Sequence, residues 1–146
     1  MKTDFDYTKV PFFFGYCAIK SCPKRETCLR YLAWKYTPAD QPFLSLMDAR
    51  YLEARGNNCQ HYLPNTPVKY ARGFLKLTKI LPVAIADSFR RHMIAHFGRK
   101  VYYQIRKGER LIHPTEQRFI VTLVERLGME VADCFDAYQN EYDWNA

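Results

Sequence analysis

The chain has 146 residues, a formal net charge of +7, 16% aromatic and 25% charged residues, a balance that excludes a disordered polyelectrolyte and is ample for a packed core without staples. Its first residues, Met1-Lys-Thr-Asp-Phe-Asp, carry acids where a signal peptide has a basic region, and the apolar run that follows is broken by Pro11 and Gly15. No signal peptide and no membrane partner are expected on these features, and a single soluble, cytoplasmic domain with reduced cysteines is expected.

Residues 1–25 read as extended and loop-like, with Pro11, Gly15 and Pro23 interrupting the aromatic cluster Phe12-Phe13-Phe14-Gly15-Tyr16. Cys17, Cys22 and Cys28 follow within twelve positions, and Cys59-Gln-His61 returns about thirty residues later. Four thiolates, or three with the His61 imidazole, form the donor set of a tetrahedral zinc site, and the long gap before the last ligand would clip two segments together. Cys17-x4-Cys22 has the loose end of zinc-knuckle spacing and Cys22-x5-Cys28 lies outside it; the Cys22-Pro23 pair also suits a [4Fe-4S] cluster, which is the alternative cofactor. Four independent buried thiols are the bland alternative. The Phe12–Tyr16 rings are expected to pack on this metal site, and Cys134 is expected to be core packing.

A helix is predicted from about Arg25 to Tyr36, where Cys28, Leu29, Leu32 and Tyr36 recur at helical spacing before Thr37-Pro38. Phe43 to Met47 allows a short strand, and Asp48 a capped helix to Arg55. The loop Leu63-Pro64-Asn-Thr-Pro67 sets a soft boundary near residue 65, between a Cys-rich region 1–65 and a basic helical region 66–128. Within the latter, helices are predicted over 68–80, with Tyr70, Phe74 and Leu77 on one face, and over 83–97, with Ile85, Phe89, Met93 and Phe97 on one stripe. A third covers 99–107 between Gly98 and Gly108, where Val101-Tyr-Tyr-Gln-Ile105 and Arg110-Leu-Ile112 also allow a short β-hairpin near 101–112. The last runs from His113-Pro114-Thr-Glu116 to Gly128. Residues 129–146 form an acidic, aromatic C-terminal segment in which Phe135, Tyr138 and Tyr142 have i, i+3, i+7 spacing. The expected fold is mainly α: a single compact helical domain with a metal-clipped N-terminal region.

Charge is polarised along the chain. Between Ser88 and Arg118 eight Arg or Lys face two Glu, whereas from Gly128 onward five acids face no Lys or Arg. A basic middle is the footprint of a polyanion partner, and the acidic tail is a counter-charge or a separate contact surface. No phosphate-binding Gly loop, His-Glu-x2-His or Gly-x-Ser-x-Gly motif is present, Cys59-Gln-His61 offers no diagnostic catalytic pattern, and no catalytic residue is assigned.

The order Ala86-Asp87-Ser88-Phe89, Phe97-Gly98 and Gln104-Ile105-Arg106-Lys107-Gly108-Glu109-Arg110 resembles the helix-turn-helix of lambda-repressor-like and LacI-type DNA-binding domains over residues 83–128. That resemblance implies a second helix in the major groove, with Lys100, Tyr103, Gln104 and Lys107 toward bases and Arg99, Arg106 and Arg110 toward phosphates. Gly98-Arg99-Lys100 departs from the small and hydroxylic residues usual before such a helix. Over nearly the full length, Cys-x4-Cys-Pro-x4-Cys-Leu-Arg, Gln104-x3-Gly108-Glu-Arg-x-Ile112-x-Pro114-x2-Gln117 and Phe135-Asp-x-Tyr138-x3-Tyr142-x-Trp144 resemble an uncharacterised domain-of-unknown-function family of Bacteroides and related gut bacteria. This second resemblance implies no activity.

The expected function is that of a metal-containing nucleic-acid-binding protein, a DNA-binding regulator, with DNA favoured over RNA. Two alternatives stand beside it. One is a protein-interaction adaptor that uses the acidic tail and holds a purely structural metal; the other is an iron-sulfur redox sensor.

Overall fold

The computed structural model describes residues 5–56 and 58–145, and its backbone contacts divide the chain into two units. One runs to Thr66 and takes in the residues from Tyr142 on; the other spans Pro67–Glu141.

The first unit is largely irregular backbone. A 3-10 turn at Arg25–Thr27 leads through an extended Cys28 into helix α1, Leu29–Lys35, and Asp48 starts the short helix α2, Ala49–Glu53, by accepting from the Arg50 N–H. Helix α1 begins later than its periodicity predicts, because Cys28 bridges Pro64 and the Leu29 N–H donates to the Leu63 carbonyl at 2.8 Å. Cys28 is thereby the N-cap residue rather than part of the first turn. The apolar run 43–47 makes one parallel bridge, Tyr16 to Leu46, instead of a strand. Phe14, Tyr16, Leu29, Ala33 and Leu63 form the core, with Phe5, Tyr142 and Trp144 packed against it. Phe14 meets Trp144 edge-on at 5.0 Å, the geometry that aromatic quadrupoles favour. Phe12 and Phe13, expected on the cysteines, are instead 91% and 89% exposed.

In the second unit the stretch predicted as one helix over 68–80 is split. Val68–Arg72 is strand β1, and helix α3, Leu75–Ile80, follows. Between them Gly73 takes a φ of +72°, where a Cβ would lie 2.8 Å from Asp136 Oδ2, so only glycine fits this reversal without strain. The Asp136 carboxylate accepts from the Leu75 and Lys76 N–H groups at 2.8 and 3.0 Å, satisfying donors that the start of α3 leaves open. Helices α4 (Val83–Phe97), α5 (Arg99–Lys107) and α6 (Pro114–Arg126) complete the helical part. Helix α6 has the cap its sequence predicts: the His113 side chain accepts from Thr115 N while Glu116 accepts from the His113 N–H. Strand β2, Ala137–Glu141, pairs antiparallel with β1 from Val68 opposite Glu141 to Arg72 opposite Ala137. Ala71 and Ile112 exchange backbone hydrogen bonds at 3.0 and 2.8 Å on the other side of β1. The core gathers Phe74, Phe89, Met93, Ile105, Ile112, Ile120 and Val124, with Cys134 and Phe135 beside them.

Three expectations are corrected. The fold is not mainly α but mixed: among the described residues six α-helices accompany a two-stranded antiparallel sheet. The helical spacing of Tyr70, Phe74 and Leu77 misleads because Gly73 breaks the run, and β1 finds its partner almost seventy residues away. A β-hairpin near 101–112 does not form: Tyr102 and Ile105 bury the inner face of α5, and a left-handed Gly108 ends it. The metal clip is overturned as an organiser of the fold. Among the described residues no group of three or more His, Cys, Asp or Glu is disposed to hold a metal ion, and the first unit closes through its own backbone pairing and aromatic core. No described helix is long and apolar enough to cross a membrane.

Candidate nucleic-acid interface and cysteine pocket

Arg30, in the first turn of helix α1 among Leu29, Tyr31, Leu32 and Ala33, positions the cysteine segments. Its Nε donates to the His61 carbonyl at 2.8 Å and its Nη1 to the Gly15 carbonyl at 2.9 Å, while its guanidinium lies 4.9 Å from the Phe14 ring centroid. The Arg30 carbonyl in turn accepts from Cys17 N at 3.2 Å. One side chain thus joins the segments before Cys17, around Cys28 and after Cys59. A Cβ on Gly15 would lie 3.2 Å from Arg30 Nη1, so a larger residue there would press on the guanidinium. The sequence pattern around the cysteines draws attention to the thiols and away from Arg30. The available signal was a lone arginine among Leu29, Tyr31, Leu32 and Ala33.

The result is that Cys17, Cys22, Cys28, Cys59 and His61 all line one small cavity of about 30 Å³. Cys28 is buried and the other three cysteines are half-buried. Burial pushes the Cys17 thiol above its ordinary value, the Ile19 backbone contact lowers it, and the nearby Cys28, Cys22 and Cys59 raise it further. The donor chemistry fits a soft metal, and Cys17, Cys22 and Cys59 also border a further space of about 200 Å³. The fit is incomplete: the donors converge on the cavity without reaching a ligating arrangement.

The basic residues singled out in the sequence mostly fall on α5. Arg99, Lys100 and Lys107 are exposed, and Tyr103, Gln104 and Arg106 are half-buried. Helical spacing aligns Lys100, Gln104 and Lys107 on one stripe and Arg99, Tyr103 and Arg106 on the next. The Arg99 guanidinium lies 5.8 Å from the Tyr103 ring centroid. Arg110 lies beyond the helix and donates to both Glu116 oxygens at 3.0 and 3.2 Å, so it is engaged at the start of α6. Arg90 and Arg91 of α4 pair with Asp87 at 2.9 and 3.3 Å. By contrast, Arg99, Lys100, Arg106 and Lys107 form no ion pair among the described residues, and α5 has no acid in its first turn.

Of the acidic tail's aromatics, Phe135 is buried and Tyr142 and Trp144 pack in the first unit's core, leaving Tyr138 39% exposed. The Tyr138 hydroxyl donates to Asp133 Oδ1 at 2.7 Å. That hydrogen bond, with one from the Phe135 N–H, holds the Asp133 carboxyl below its usual range.

No curated protein and no solved structure matches the chain. Residues 1–144 match a family model, so with its cysteine segments, basic helix and tail all inside the match, the chain belongs to the family of unknown function DUF6078.

Proposed function

We propose that this protein is a cytoplasmic DNA-binding regulator that meets duplex DNA through α5. The observation that carries the reading is the charge on that helix: four cations, no acid, and no ion pair to any of them among the described residues. Arg99 and Lys100 occupy the helix start, where the macrodipole disfavours cations. An anion at that end removes the penalty and gains the open N–H groups as well. A polyanion is the partner that compensates several such charges at once, releasing counterions as it does so. In the helix-turn-helix arrangement proposed for residues 83–128, α5 lies in the major groove with Lys100, Tyr103, Gln104 and Lys107 toward bases and Arg99 and Arg106 toward phosphates, while Arg110 is engaged by Glu116. The adaptor alternative has less support, because most aromatics of the tail are committed to cores.

Binding to duplex DNA measured against salt tests this reading. Arg99→Gln is expected to lower the magnitude of the log–log salt slope by about one unit, whereas Gln104→Ala is expected to cost about 1–3 kcal/mol at one base position only. A random duplex pool from which selection enriches no sequence, with Gln104→Ala silent, would overturn it.

The convergence of four thiols on one small cavity supports a second reading, in which zinc binds there in addition to, not as the cause of, the fold. Zinc would draw the donors closer than they stand, and a [4Fe-4S] cluster is the alternative for the same thiols. Metal analysis of anaerobically purified protein is the test. About one zinc per chain is expected, lost in Cys22→Ser; four freely titrating thiols with neither zinc nor iron would end this reading.

A further inference from the structure

The second unit contains a larger cavity, about 380 Å³, bounded by α3, α4 and α5. This lies within the roughly 300–1,000 Å³ of small-molecule sites. Its lining divides by chemistry. Leu81, Ala86 and Phe89 are apolar, whereas Arg90, Arg106, Tyr102, Tyr103 and Asp87 bring polar groups to the same space. Asp87 is already shared between Arg90 and Arg91 at 2.9 and 3.3 Å, which leaves the guanidinium of Arg106 without a carboxylate among the described residues.

Tyr102 is the second, independent observation. The residue is only 3% exposed, yet its hydroxyl takes part in no hydrogen bond among the described residues. Among the described residues no fully buried side-chain oxygen or nitrogen lacks a partner, so that hydroxyl keeps some exposed surface, and Tyr102 lines the cavity. Burial raises the Tyr102 phenol, while the charges of Arg106 and Arg90, which line the same cavity, act to lower it. Tyr103 of α5 and Arg90 of α4 line the same cavity. Two arginines and two phenols around one compensated carboxylate make a site with net positive charge, fixed donors and an apolar floor.

We infer that this cavity binds a small organic anion, with its carboxylate or phosphate held by Arg106, Arg90 and the Tyr102 and Tyr103 hydroxyls and its apolar body against Phe89 and Leu81. The site uses the α5 stripe of Tyr103 and Arg106, not the stripe of Lys100, Gln104 and Lys107. It stands whether or not the protein binds DNA.

Calorimetric titration of the full chain, without nucleic acid, with benzoate, phenyl phosphate and the neutral benzyl alcohol tests the inference. Saturable one-to-one binding of at least one anion is expected, with benzyl alcohol about tenfold weaker or more, since hydrogen bonds to a charged group dominate recognition. The tighter of the two anions identifies the headgroup. Arg106→Gln is expected to weaken that anion about tenfold or more, and Tyr102→Phe to weaken it by less. Lys107→Gln makes the same charge change outside the cavity and should leave affinity within about twofold. Arg106→Lys keeps the charge but not the fork, so a loss there in a variant whose melting is unchanged shows recognition rather than unfolding. Equal binding of benzyl alcohol, equal weakening by Lys107→Gln and Arg106→Gln, or no saturable binding of either anion would overturn the inference.

Discussion

In the Pro67–Glu141 unit, Phe74, Met93, Ile105, Ile112 and Ile120 are all 0% exposed and come from separate stretches of chain, whereas among the described residues of the other unit only Leu29 and Ala33 reach that level, both from one short helix. Cohesion in the smaller core therefore depends more on directed contacts: Arg30 on two carbonyls, edge-on aromatic pairs, and single bridges such as Tyr16 to Leu46. The contrast teaches what each unit can tolerate. An apolar core loses stability in proportion to the volume removed, while a unit held by a few polar anchors loses much through one side chain and little through most others.

The largest effect is expected from Phe74→Ala, which empties a fully buried site between Phe89 and Tyr102. A loss of about 3–5 kcal/mol is expected in denaturant unfolding, with amide exchange accelerating in the residues of the second unit. A loss under about 1 kcal/mol would mean that this core is looser than its burial indicates. Arg30→Met is the matching experiment in the first unit. Leaving the Gly15 and His61 carbonyls without their donor is expected to cost about 2–3 kcal/mol, read as faster exchange at Cys17 and Leu29. Arg30→Lys should fail to restore it, because one ammonium on a flexible stem does not reproduce the planar fork. If lysine rescues fully, the anchor is simple charge and the comparison weakens.

Gly73→Ala probes the junction of β1 and α3. A φ of +72° and a Cβ 2.8 Å from Asp136 Oδ2 together predict a loss of about 1–2 kcal/mol, measured as a lowered denaturation midpoint. Gly128, at a φ of +88° past the end of α6 with nothing within 4 Å of an added Cβ, separates backbone strain from collision: its alanine variant should lose less.

The smallest expected effect is alkaline and touches both units. Tyr16 is raised to about 12 by burial and then by the Tyr7 hydroxyl 3.0 Å away; Tyr138 is raised to about 12 by burial and then by its bond to Asp133. A phenol raised in the folded state stabilises fully below its unfolded value near 10, and that contribution is lost as pH rises from about 10 through 12. Melting temperature is therefore expected to fall across that window, with a shallower fall in Tyr16→Phe and in Tyr138→Phe. A slope unchanged in both variants would assign the alkaline loss to other groups.

How much of this was legible depended on range. The boundaries of α4, α5 and α6 followed from local chemistry: Gly98 and Gly108 as stops, and His113-Pro114-Thr115-Glu116 as a start. The buried stripes of α4 and α5 followed from periodicity, because a helix presents every third or fourth residue to one side. Misleading signals had the same local origin. Tyr70, Phe74 and Leu77, and again Phe135, Tyr138 and Tyr142, have helical spacing, yet Val68–Arg72 and Ala137–Glu141 are strands that bond to each other. Strand pairing across such a gap is a long-range event, and no window of sequence contains both partners.

The candidate sites divide in the same way. The sequence by itself determined which residue types were available: soft thiols at Cys17, Cys22, Cys28 and Cys59, and a helix with four cations and no acid. Tertiary structure alone decided which of them act together. It brought the four cysteines to one cavity through Arg30, engaged Arg110 at the α6 cap and Arg90 with Asp87, and turned Arg106 with Tyr102 toward a second cavity. The physical reason is that charge and donor type belong to the residue, whereas burial, pairing and direction belong to its neighbours, and those neighbours are distant in the chain.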